Sequence, residues 1–380
     1  MPTPPAAVLT EIPAEIAAVC DYEAFAQARV DPGAWAYLNG AAADGLTARD
    51  NLAAYDRLRL RNRVLRDLRG GHTRLDLLGD SYAAPLFVAP VAHQKLAHAD
   101  GELGTVLGAG AVGVGMVVST QASVELEAIR REAHAPLWFQ LYLQPDRAHT
   151  TRLLRRAEQA GYRAVVVTVD APVSGLRRAE QRAGFVMPPH AAAVNLAGMQ
   201  TAPRRPAGAG ESAVFGAGLL DGAPRWQDLA WLVDSTRLPV LVKGILDPDD
   251  AASALAHGAS GIVVSNHGGR ALDGVPATLD ALPGVVAAVA GRAPVLLDGG
   301  IRRGTDMLKA LALGATAVLV GRPVIHGLAA AGPVGVAHVL HLLRSEFELA
   351  MALTGCRTLA DIDERVFWQA PAHLLPGSSP

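Results

Sequence analysis

Eight short apolar runs, each closed by turn residues, follow the first 80 positions of this 380-residue chain. They are 85–89 (PLFVA), 114–118 (VGMVV), 137–141 (LWFQL), 164–169 (AVVVTV), 239–242 (PVLV), 261–264 (GIVV), 294–297 (PVLL) and 316–320 (TAVLV). All are rich in Val and Leu without polar alternation, the pattern of strands buried on both faces. Helical patterns lie between them. Residues 146–160 open on Asp146, place Leu153, Leu154 and Ala157 on one side, and stop before Gly161. That spacing predicts a capped amphipathic helix. Residues 247–257 begin Asp247-Pro248 and stop before Gly258, and 305–313 stop before Gly314, so both are expected to be helical. Eight strand–helix repeats predict an α/β fold with the parallel sheet closed into a TIM (β/α)8 barrel. An open doubly wound sheet would carry a glycine fingerprint leaving its first strand. Gly113-Val114-Gly115 lacks the third glycine and enters a strand instead.

The whole chain, 1–380, is read as one domain. Residues 1–80 form an N-terminal cap segment that includes a helical stretch at 21–30 and a basic stretch at 57–69. The barrel takes 81–355 and a tail takes 356–380. The longest interruption, 186–225, is rich in Ala, Gly and Pro and follows the fourth strand, so a mobile lid over the catalytic face is expected there.

Half the residues are hydrophobic and 18% are charged, with 34 Lys+Arg against 36 Asp+Glu. A chain of this kind buries a large core and is not disordered. Its balanced charge argues against a nucleic-acid binder. The start, MPTPPAA, lacks the charged and apolar regions of a signal peptide. Residues 103–124 carry no charge, but five glycines punctuate them, which fits a helix–turn–strand passage better than a membrane span. A cytoplasmic protein is expected. Cys20 and Cys356 are too few for a thiolate cage or a disulfide framework and are expected to be buried free thiols. His93 and His98 are five apart without carboxylate companions, so no metal site is expected.

Barrel chemistry sits at the C-terminal ends of the strands. Those ends carry Pro90-Val91-Ala92, Ser119, Gln140 with Tyr142, Thr168 with Asp170, Lys243, Ser265-Asn266-His267, Asp298 and Gly321-Arg322. Two segments are specific. Asp298-Gly299-Gly300-Ile301-Arg302 and Gly321-Arg322 follow strands seven and eight, where barrels commonly hold phosphate. Glycine turns bring backbone N–H groups to an anion and arginine adds paired bonds. His267, three residues before Arg270, combines a general base with a carboxylate fork. The alternatives are solvated glycine turns and a structural loop histidine.

The passages SNHGGRALD, DGGIRRGTD, ALALGATAVLVGRPV and PVAHQKLAHADGE resemble the FMN-dependent 2-hydroxy-acid oxidase and dehydrogenase family, that of glycolate oxidase, lactate oxidase and mandelate dehydrogenase. The similarity runs from about residue 22 to 363. It implies FMN as cofactor, bound by Pro90, Val91, Ala92, Ser119, Gln140, Thr168, Lys243, Ser265, Asp298, Gly299, Gly300, Ile301, Arg302, Gly321 and Arg322. It also implies that Tyr37, Tyr142, Arg177 and Arg270 hold an L-2-hydroxy acid, with His267 as catalytic base and Asp170 as its partner. Oxidation to the 2-oxo acid would pass hydride, or carbanion electrons, to flavin N5. Ala92 leans towards oxygen as the acceptor, giving hydrogen peroxide; a dehydrogenase with another acceptor is the alternative. A homo-oligomer, a tetramer by resemblance, is implied. Two departures bear on the substrate. Gln121 stands where the family often has an aromatic ring, and His93 where Met or Tyr is common. The other readings are a non-catalytic flavin-binding barrel and a barrel for a phosphorylated metabolite.

Overall fold

A computed structural model describes residues 6–199, 210–212, 214–215, 220 and 222–368. Eight parallel strands close a barrel in chain order. They are β1 Leu86–Val88, β2 Gly115–Ser119, β3 Leu137–Leu141, β4 Val165–Thr168, β5 Val240–Ile245, β6 Gly261–Val264, β7 Val295–Asp298 and β8 Ala317–Val320, with β8 pairing to β1. Every expected strand is present. The ends differ by a few residues, most at β5, which continues through Lys243 and an irregularity at Gly244 to Ile245.

Side chains alternate inward and outward along each strand. Leu86, Val88, Met116, Val118 and Phe139 face the surrounding helices. Phe87, Val117, Trp138, Val166, Leu241, Val263, Leu296 and Leu319 join one buried cluster inside the barrel. A period of two puts the next inward layer at Ala89, Ser119, Gln140, Thr168, Lys243, Ser265, Asp298 and Gly321. The barrel is thus filled by an apolar layer under a polar one, and the polar layer is the floor of the mouth. An antiparallel hairpin, Leu75–Leu77 with Asp80–Tyr82, immediately precedes β1. Its Leu75, Leu77 and Tyr82 plug the other end of the apolar layer, and the Tyr82 hydroxyl accepts the Trp138 indole N–H at 3.2 Å.

The helices end where the caps predict. Asp146 accepts the Ala148 N–H ahead of Arg147–Ala160, and Gly161 closes that helix in the left-handed region. Asp247 does the same for Pro248–Ala256, and the third helix is Gly304–Ala312. A helix of 33 residues, Arg322–Thr354, follows β8. The chain kinks at Ala331 and Gly332 and resumes. This helix is long and apolar enough to cross a bilayer, yet 78% of its apolar window is buried within the protein.

Cys356 is buried, but Cys20 is exposed, which corrects the expectation for the pair. A single turn, Val19–Asp21, buries Val19 and turns its neighbour outward. In the 186–225 interruption, two short turns, Pro189–Ala191 and Val194–Leu196, pack on the barrel. Asn195 is buried and bonds the Leu126 N–H and the Val124 carbonyl. Residues 200–209, 213, 216–219 and 221 of that stretch, and 369–380 of the tail, lie outside the described residues.

Candidate active site

The polar layer floors an open cleft at the C-terminal mouth. Its side chains fix one another. Ser119 Oγ donates to Gln140 Oε1 at 3.2 Å, and Gln140 Nε2 donates to Thr168 Oγ1 at 3.1 Å. Lys243 Nζ donates to Ser265 Oγ and Asp298 Oδ2, each at 2.9 Å. Burial disfavours the Lys243 ammonium, but Asp298 and then Asp170 outweigh it and raise its pKa above the ordinary lysine value. Asp298 Oδ1 is buried with no hydrogen-bond partner. A buried acceptor of that kind calls for a donor from a bound group.

One wall is built for an anion. Gly300 sits at φ 81°, and a Cβ there would stand 2.0 Å from the Asn51 carbonyl oxygen on the helix Leu46–Arg57. Only glycine lets the loop after β7 pass so close to the cap segment. Arg302 turns inward, whereas its neighbour Arg303 pairs with Asp56 near the surface at 2.8 Å. Arg322 donates to the Gly268 and Gly40 carbonyls at 2.9 Å each, while its buried Nε has no partner. Burial, reinforced by Arg270 and Arg302, pushes Arg322 down to about 9. Burial lowers Arg302 as well. Two half-buried guanidiniums without a carboxylate partner among the described residues form a cradle for phosphate.

The opposite side carries acid–base chemistry. His267 adopts φ 58° and is followed by Gly268 and Gly269, both also at positive φ. This tight turn hangs the imidazole over the floor, and the His267 backbone N–H donates to Ser265 Oγ at 3.1 Å. Nδ1 lies 2.8 Å from Asp170 Oδ1. Burial opposes the Asp170 charge, but the His267 bond and the nearby Lys243 prevail and hold the carboxyl below its ordinary range. An ionised Asp170 accepts from Nδ1–H, which leaves Nε2 as the free base facing the cleft. Gly244 makes this approach possible, since a Cβ there would lie 2.5 Å from the Asp170 Cβ. Tyr142 Oη is 3.5 Å from Nε2. Burial pushes its phenol up to about 12, so it remains a donor.

Two arginines bracket Tyr37. The guanidinium carbons of Arg177 and Arg270 lie 5.6 and 5.5 Å from its ring centroid. Tyr37 rides on the cap helix Pro32–Asn39, whose last carbonyls need donors. Arg270 supplies them, with bonds to the Tyr37 and Gly40 carbonyls at 2.8 and 2.7 Å. Phe185 stacks on Tyr37 at 5.2 Å and His93 meets its edge at 5.7 Å. His93 is fixed by the Ala191 carbonyl at 2.7 Å. Among the described residues, no group of three His, Cys, Asp or Glu side chains is placed to hold a metal ion.

The sequence-predicted residues line this one cleft, except Asp170 and Ser265, which stand behind His267 and Lys243. Gln121 also lines it. Sequence reasoning missed Leu38 and Ile325 in the lining. It missed Glu180 behind the arginines, and the buried Asn51–Asn266 amide pair that ties the cap to the His267 loop. The last two could have been sought as polar residues in otherwise helical or glycine-rich surroundings.

A parallel barrel with a phosphate cradle, a polar floor and a carboxylate-backed histidine defines a cofactor-dependent barrel enzyme. The chain belongs to the FMN-dependent dehydrogenase family, whose profile matches residues 26–369. It is 50% identical to an L-lactate oxidase of Alicycliphilus denitrificans over 352 residues, covering 92% of this chain and 96% of that one. It is 44% identical to glycolate oxidase 1 of Zea mays over 351 residues, covering 92% and 95%. A solved mandelate oxidase, in complex with (S)-2-phenylpropionate, superposes with a TM-score of 0.83 at 40% identity, covering 92% of this chain and 97% of that one. FMN is accordingly the cofactor. The unpartnered Arg322 Nε and Asp298 Oδ1 fit its phosphate end and polar ring.

Proposed function

We propose that this chain oxidises an L-2-hydroxy acid to the 2-oxo acid and passes the electrons to oxygen, giving hydrogen peroxide. The observation that carries the reading is the His267–Asp170 pair facing two arginines across a cleft floored for FMN. Bound FMN supplies a two-electron acceptor that oxygen re-oxidises. Ser119, Gln140, Thr168, Lys243, Ser265 and Asp298 would meet its ring, and Gly299, Gly300, Ile301, Arg302, Gly321 and Arg322 its phosphate end. Pro90, Val91 and Ala92 line the same space.

Arg270 and Arg177 would hold the substrate carboxylate, with Tyr37 between them closing that end. This places the carbon next to the carboxylate beside His267. His267 Nε2 takes a proton from the substrate, and Asp170 stabilises the imidazolium that results. Tyr142 donates to the substrate oxygen. Lys243 puts a positive charge in the floor, where negative charge develops on reduction. The names of the relatives support a small aliphatic acid, since the lactate and glycolate oxidases are 50% and 44% identical to this chain and the mandelate oxidase 40%.

The test is anaerobic mixing of the flavin-loaded protein with glycolate, L-lactate, D-lactate, longer aliphatic 2-hydroxy acids and mandelate. Bleaching of the flavin by an L-acid, followed by recovery and stoichiometric peroxide when oxygen is admitted, is the expected result. A flavin that no member of the panel bleaches would overturn the proposal. Recovery only with an artificial acceptor would make the protein a dehydrogenase.

A further inference from the structure

Arg177 and Arg270 share a counter-ion. Glu180 Oε1 accepts from Arg177 Nη1 at 3.1 Å and lies 4.0 Å from Arg270 Nη2. Among the described residues, no other carboxylate comes within 4.0 Å of either guanidinium. Glu180 lies on the short helix Arg178–Arg182. It does not line the cleft, whereas both arginines do. It therefore touches them from behind.

The arginines are only partly satisfied. Arg270 spends its fork on the Tyr37, Leu38 and Gly40 carbonyls, which neutralise none of its charge. Burial, and then the facing Arg177, pull it down to about 10. Arg177 Nε is buried with no hydrogen-bond partner. Two cations with one anion leave the site one negative charge short.

We propose that Glu180 is a positioning residue that sets the charge of the substrate-carboxylate site, so that a single carboxylate completes it. This rests on the reading of Arg177 and Arg270 as carboxylate anchors. With Glu180 in place, one bound carboxylate brings the cluster to neutrality. A second carboxylate on the ligand would make it negative in a poorly solvated cleft. Glu180 thereby favours monocarboxylates over dicarboxylates and weakens the hold on every anion. It takes no part in bond making.

The test uses the flavin-loaded protein with Glu180→Gln and Glu180→Asp variants. Gln keeps an acceptor for Arg177 without the charge, and Asp keeps the charge. Acetate and malonate serve as probes, differing by one carboxylate, with binding read from perturbation of the flavin absorbance. L-Lactate supplies KM and kcat. In Glu180→Gln, malonate is expected to bind about tenfold more tightly and acetate about threefold. KM is expected to fall about threefold with kcat within about twofold. Glu180→Asp should keep the wild-type ratio of the two probes. If Glu180 merely braces Arg177, the Gln variant binds both anions equally well or more weakly, and the proposal fails. Should Glu180→Gln not fold, a shifted probe ratio in the charge-conserving Asp variant also overturns it. A wild-type flavin that responds to neither probe, and is reduced by no 2-hydroxy acid, would instead refute the site assignment beneath it.

Discussion

Replacing Asp170 by Asn removes one charge from the pair behind His267 and nearly preserves its shape. The bond is 2.8 Å long, and the side chains are 22% and 10% exposed, so solvent screens it only in part. With charge centres about 4 Å apart, an effective dielectric of about 20 gives about 4 kcal/mol between carboxylate and imidazolium. If proton transfer is half complete in the transition state, about 2 kcal/mol is added to the barrier, and if complete about 4. Those limits convert to roughly 30-fold and 1000-fold in rate. Substrate capture should change little, because Arg177 and Arg270 are untouched. The assay is anaerobic stopped-flow at the flavin absorbance with L-lactate as a saturable reductant. The expected result is a limiting reduction rate down by about 30- to 1000-fold, with apparent affinity within about threefold. A limiting rate within twofold of wild type would refute the role given to Asp170. So would a loss seen wholly in affinity.

Three further outcomes are expected. Tyr142→Phe removes a donor that burial holds at about 12, and one hydrogen bond of about 1 kcal/mol should raise KM about fivefold; an unchanged KM contradicts the contact. Gly300→Ala forces a Cβ to within 2.0 Å of the Asn51 carbonyl oxygen at positive φ, so flavin affinity should fall by more than about tenfold, read as flavin lost on gel filtration; full retention contradicts it. His326 lies under the anion wall, and burial, with Arg302 second, pushes it down to about 3. A histidine kept neutral in the fold contributes stability that is full above about 6.5 and is lost as pH falls towards 3. On going from pH 7 to pH 5 the wild type should lose about 2 kcal/mol from this source, and His326→Gln should not. Denaturant midpoints at the two pH values check this, and equal acid sensitivity would contradict it.

The barrel and the floor of the site were legible in the sequence for one physical reason. Each strand is a short apolar run, and most close on a polar residue at the C-terminal mouth, where barrel chemistry sits. Ser119, Gln140, Thr168, Lys243, Ser265 and Asp298 stand at those ends, and the family resemblance gives them to the flavin. His267 and Arg270 were legible through the glycines that force the turn between them. What stayed hidden depends on contacts between segments far apart in the chain. Glu180 looks like an ordinary helical charge until Arg177 and Arg270 are seen to flank it. The carbonyls of Leu38 and Gly40 act as ligands for Arg270, and no side-chain pattern announces a backbone oxygen. The hairpin before β1 was missed because its two strands have three residues each. The exposure of Cys20 depends on a single turn that buries its neighbour.

The central claim is that His267 takes the proton in a 2-hydroxy-acid oxidation whose electrons pass to FMN. Replacing His267 by Gln, loading the protein with FMN and mixing it anaerobically with L-lactate addresses that claim most directly. The cradle of Gly300, Arg302 and Arg322 is untouched, so the flavin should be retained in full, while its bleaching should slow by at least about 1000-fold. A His267→Gln protein that still bleaches at close to the wild-type rate would contradict the account.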